Sequence, residues 1–192
     1  MLEEEAHSLS SDTSKIKHDS STISWNNLGD EWFGLARKEQ LNIDHYIRNS
    51  NDLFGISDNV FDIVLCSMML MDCEDFEGTV REIARVLKTE GKLFASVLHP
   101  CFDGNHECGI GRQGSGIDRQ VVVMNYFEPQ EWEAPLFGCT IPVIWRHRTL
   151  EEYVKTFTKC GLTIVHINEP RATEEQAKIS TAMAWLQKIP CQ

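Results

Sequence analysis

Apolar residues crowd together at Phe61, Ile63, Val64 and Leu65, and again over residues 93–98. Near-continuous apolar runs of this length predict strands buried on both faces, the kind that build parallel sheets. Between them Thr79, Val80, Ile83, Ala84, Val86 and Leu87 recur at the period of a helix, and Gly91 reads as its stop. Residues 60–100 therefore form a strand-helix-strand unit, which requires helices packed over a sheet.

The flanks are less regular. Residues 1–24 are Ser, Asp, Glu, Lys and Thr with few large apolar side chains, too little to offset the entropy of ordering, so a disordered or loosely attached tail is expected. Residues 25–192 then form one domain. Trp25, Leu28, Trp32 and Phe33 fall on one side of a short helix and read as cover for a core edge or as a lid over a pocket. Residues 35–41 read as a helix end, and Ile43, His45 and Ile47 alternate as a short strand does. Ser57, Asp58 and Asn59 give a turn. Downstream, a polar, glycine-rich loop covers 101–118, Val121 to Met124 is a strand, and 129–142 is irregular. Thr149 is a candidate N-cap with Glu151 and Glu152 in the first turn of a helix that ends at Lys159 and is closed by Gly161. A last strand at 162–167 and a final helical segment at 174–188 complete the chain.

Composition narrows the function classes. A length of 192 residues suits one core. The net charge of -11 disfavours nucleic acid as a partner, because phosphate binding needs clustered Lys and Arg. No apolar run reaches the ~18 residues of a membrane span, and the acidic N-terminus is unlike a signal peptide, so a cytoplasmic protein without membrane contact is expected. The seven cysteines are an odd number, and Cys66 and Cys160 sit in apolar runs as small buried hydrophobes. His99 and Cys101 with His106 and Cys108 are the one metal-like cluster, but their spacing on a single loop differs from paired structural zinc ligands, and no metal site is expected.

Ligands of open parallel sheets bind outside the carboxyl ends of the strands. That rule marks residues 66–72 and 99–102. Met68, Met69 and Met71 offer polarizable thioethers suited to flat rings, although packing is an equal reading. His99 is a candidate base or substrate-orienting group, and equally a hydrogen-bonded structural histidine. Gly109, Gly111 and Gly114 satisfy the spacing of a dinucleotide fingerprint, but a strand rather than a helix follows, so no phosphate site forms there.

Asp58-Asn59-Val60-Phe61-Asp62-Ile63-Val64, Glu82-Ile83-Ala84-Arg85-Val86-Leu87-Lys88 with Gly91, and Ser96-Val97-Leu98-His99-Pro100-Cys101-Phe102 follow one another in this order. So do Tyr126-Phe127, His147-Arg148-Thr149-Leu150-Glu151-Glu152-Tyr153, Gly161-Leu162 and Glu169-Pro170. Together they resemble the class I S-adenosylmethionine-dependent methyltransferases, small-molecule branch, over residues 35–190. The resemblance implies an α/β, Rossmann-like sheet, mostly parallel with an antiparallel last strand. It implies methyl transfer to a small-molecule acceptor with S-adenosylmethionine as cofactor. Asn49, Ser50 and Leu53 would lie on the adenine side, and Cys66, Ser67, Met68 and Met71 would form the cofactor wall. Tyr126 and Trp132 would meet the substrate, and His99 or His147 would act as base. Trp32-Phe33-Gly34 leads straight into a segment like the helix after the family's second strand, so the first two strands and the glycine-rich cofactor loop have no counterpart. The apolar fourth strand then has an open edge, which the third strand, a second copy or another protein would cover. A non-catalytic partner or regulatory protein with this fold, or a truncated splice form, is the alternative reading.

Overall fold

The computed structural model describes Gly34 and residues 36–44, 46–102, 110–135 and 142–190. The expected tail at 1–24, the Trp25 to Phe33 group, His45, His106 and Cys108 lie outside the described residues.

The strand-helix-strand unit forms as expected. Strand β1 (Phe61–Ser67) pairs in parallel with β2 (Leu87–Ser96), and helix α1 (Phe76–Val86) makes the crossover. Asp75 caps α1 by accepting the Gly78 N–H at 2.8 Å, satisfying one of the helix's orphan donors. Gly91, however, is not the helix stop. The helix ends at Val86 and β2 begins at Leu87, while Gly91 sits inside β2 where the register with β1 shifts. A Cβ there would stand 2.8 Å from the Lys88 carbonyl, so the bulge itself demands glycine.

The core lies on one face of this pair. Leu70 and Val80 are fully buried, and Cys66, Cys73, Phe76, Ile83, Leu87 and Tyr153 pack with them. Tyr153 and Phe157 come from helix α2 (Leu150–Lys159), and both rings meet Phe76 edge-on at 5.1 and 6.0 Å. Thr149 closes the expected N-terminus as a reciprocal capping box with Glu152, and Gly161 follows the helix with φ +86°. On the opposite face Phe61, Ile63, Leu65 and Phe94 are exposed, and β1 pairs with no described strand besides β2.

Two antiparallel hairpins follow. Strands β3 (Ile110–Gln113) and β4 (Gln120–Val123) make the first, so Gly111 lies in a strand, consistent with setting the dinucleotide spacing aside. Strands β5 (Gln130–Pro135) and β6 (Pro142–His147) make the second, in a region the sequence reads as irregular. Trp132 faces Trp145 across that ladder, and such aromatic cross-strand pairs stabilise short hairpins despite flanking Pro and Glu.

Two expected strands are absent among the described residues. Residues 162–167 are not in a ladder, and Val165 is 90% exposed, because no described strand lies beside them. Among the described residues the last strand has no antiparallel partner. Likewise 43–44 and 46–47 carry no strand, although Asn49 and Asp52 bridge nearby. The final helical segment divides into α3 (Glu174–Ala177) and α4 (Thr181–Trp185), because Ser180 caps a new helix through the Met183 N–H. Among the described residues, no helix is long and apolar enough to cross a membrane, and no group of His, Cys, Asp and Glu is arranged to hold a metal ion.

Candidate functional site

The carboxyl ends of β1 and β2 adjoin, since the Met68 N–H donates to the Ser96 carbonyl at 3.0 Å and to its hydroxyl at 3.2 Å. Met68 holds φ 55°, a left-handed conformation costly for this side chain and of the kind that gathers at ligand sites. From there residues 69–74 turn inward toward α1, with Leu70, Met71 and Cys73 all buried. A buried loop lacks water for its carbonyls and must find donors elsewhere. Two arginines supply them. Arg148 donates through Nη1 to the Leu70 and Met71 carbonyls at 3.2 and 3.0 Å and through Nη2 to that of Cys73. Arg146 donates through Nη1 to the Asp72 carbonyl at 2.6 Å, while its Nε pairs with Glu131 at 2.8 Å.

A cleft opens beside this loop. It is shallow and is lined by Met71, Leu98, Pro100, Trp132, His147 and Tyr153, with Trp145 and both arginines. Burial pushes the Tyr153 hydroxyl up to about 12, which keeps it a neutral donor. The two candidate histidines differ in their hydrogen bonding. His99 accepts the Cys101 N–H at Nδ1 (3.1 Å), which leaves its proton on Nε2, held by Glu169 at 2.9 Å. Both ring nitrogens are engaged, as in a structural histidine. His147 donates from Nε2 to the Tyr126 carbonyl at 2.8 Å, and its Nδ1 hydrogen-bonds no described residue. Tyr126 connects the two. Its hydroxyl accepts the Leu150 N–H at 3.0 Å and bonds the Cys101 thiol, which burial raises above its ordinary pKa. Its ring meets that of His147 edge-on at 5.5 Å.

The other expected residues divide. Ser50 joins the loop, with its hydroxyl 2.9 Å from that of Thr79 and 3.6 Å from the Cys73 sulfur. Asn49 is adjacent through its bridge to Asp52. Leu53 is tied to α1 about one turn beyond Thr79, its N–H held by Glu82 at 2.9 Å. Cys66 points into the core rather than forming a cofactor wall, and burial raises its thiol to about 11. Ser67 is exposed, and Met68 and Met71 remain at the loop. Arg146, Arg148, Glu169 and Cys101 were not legible as site residues. The one signal was the Arg-His-Arg alternation before a helix cap.

Residues 30–95 match the family model described as a methyltransferase domain. The fold is that of the S-adenosylmethionine-dependent methyltransferases. The chain superposes on such an enzyme from Mesorhizobium loti with a TM-score of 0.69 at 19% identity, over 84% of this chain and 73% of the other. A protein of Listeria monocytogenes assigned to the same class gives 0.58 at 24% identity, over 76% and 70%. No curated protein matches the sequence.

Proposed function

We propose that the chain is a methyltransferase that uses S-adenosylmethionine to methylate a hydroxyl on a small-molecule acceptor, with His147 as the base. The observation that carries this reading is the cleft at the carboxyl ends of β1 and β2, where His147, tied at Nε2 to the Tyr126 carbonyl, lines the same pocket as Met71 of the loop after β1. The residues present fit one side of the cofactor. Asn49, Ser50 and Ser67 offer polar groups, and Met68 and Met71 offer thioethers for a flat ring. The cofactor, when bound, supplies an electrophilic methyl group. The chain's own contribution is to hold the acceptor against Trp132 and to receive the hydroxyl proton at His147 Nδ1.

Calorimetric titration with S-adenosylmethionine tests the reading, with heat of binding expected at micromolar cofactor and no heat at high micromolar cofactor counting against it. Once an acceptor is found, His147→Gln should lower kcat by ~10²-fold or more. His99→Gln, with both nitrogens already engaged, should lower it far less.

One observation favours the second reading, a scaffold or partner protein. The open edge of β1 and the exposed Phe61, Ile63, Leu65 and Phe94 form an apolar surface of the kind that mediates association.

A further inference from the structure

We propose that Arg146 and Arg148 are positioning residues that brace the loop after β1 against the acceptor side of the cleft. Four consecutive carbonyls, those of Leu70, Met71, Asp72 and Cys73, accept from these two side chains. Strand β6 carries Arg146 and His147 and runs straight into Arg148, so the base candidate stands between the two braces. The loop is fixed to the same few residues that place His147 Nδ1, and the separation between the two halves of the cleft is set locally.

The choice of residue follows from chemistry. Arginine presents five donors in a rigid planar fork and stays charged, so one side chain reaches three carbonyls at once. A lysine ammonium acts from a single point and cannot span that arc. The surroundings hold each fork in place. The Arg148 guanidinium lies 5.0 Å from the centre of the Phe76 ring, and the Arg146 side chain is only 9% exposed and paired with Glu131. The brace joins segments 74 to 78 residues apart in sequence.

The kinetic consequence rests on the methyl-transfer reading, whereas the structural consequence does not. Amide hydrogen exchange in the full chain without cofactor reads the structural part. Arg148→Ala and Arg148→Lys should both speed exchange over residues 68–75 while leaving β2 unchanged, and guanidinium ion should restore protection to the alanine variant. Unchanged exchange over 68–75 overturns the brace whatever the activity shows. Loss of protection throughout the chain, in the lysine variants of both arginines, also overturns it, because the residues would then be general supports of the fold. With an acceptor in hand, kcat should fall by ~10²-fold, the cost of a displacement near 1 Å, and guanidinium ion should recover part of it. Wild-type protein that binds no S-adenosylmethionine removes the methyltransferase reading and leaves the exchange result to decide the brace.

Discussion

Asp75 and Gly78 show how one side chain sets the cost of its neighbour. Glycine inside a helix is ordinarily worse than alanine by ~0.5–1 kcal/mol. Here the Asp75 carboxylate, bonded to the Gly78 N–H, fills the space a Cβ would take. Gly78→Ala should therefore destabilise the protein, by about the 1 kcal/mol of a lost cap, where helix propensity alone predicts a gain. Urea unfolding measures the sign. The same contact, with help from Asn51, holds the Asp75 carboxyl below its ordinary 3.8. A carboxylate whose pKa falls on folding contributes stability that is present above its unfolded value and lost as pH drops through the folded one. Asp75→Asn should keep the cap at pH 7 and flatten the loss of stability below about pH 4. The sequence shows acidic residues at Asp72, Glu74 and Asp75 just ahead of the helix, where negative charge suits the helix dipole. Which carboxylate caps was not legible there, because that depends on where the buried Leu70 and Cys73 draw the chain inward.

Elements were legible where one periodic pattern met a partner in the fold. Helix α1 has its stripe and its strands on either side, and the sequence reading of 60–100 needed two corrections, the role of Gly91 and the burial of both strand faces, since Phe61, Ile63, Leu65 and Phe94 are exposed. Ile83, 4% exposed, is central to that stripe, and Ile83→Ala should cost ~2–5 kcal/mol in thermal or urea unfolding. Elsewhere pattern and partner separated. Residues 162–167 have the apolar character of a strand and no described neighbour to pair with, and a strand is defined by its ladder. Strands β5 and β6 have weak patterns, yet pair over six residues each because Trp132 and Trp145 meet across the ladder, rings 6.4 Å apart. The site divided in the same way. His147 and Met71 were visible as chemistry, whereas Arg146, Arg148 and Glu169 act through contacts far apart in the chain.

The molecule as a whole carries a two-stranded parallel sheet covered on one face. Parallel sheets are ordinarily covered on both. Antiparallel pairing of β1 with β1 of a second copy, centred on Val64, would set Ile63 against Leu65 and leave Asp62 away from its counterpart. That Asp62 is already neutralised by Lys88 at 2.8 Å. Light scattering behind size-exclusion chromatography should then show concentration-dependent association that Ile63→Lys with Leu65→Lys abolishes. A monomer at all concentrations would count against pairing. The sequence already pointed to this open edge, since it depends only on which strands have counterparts. The order of assembly follows from the arginine brace. Strands β1 and β2 with α1 can meet as soon as residue 96 exists, but the carbonyls at 70–73 wait for side chains more than seventy residues later. A chain halted before β6 would own its sheet and lack its cleft.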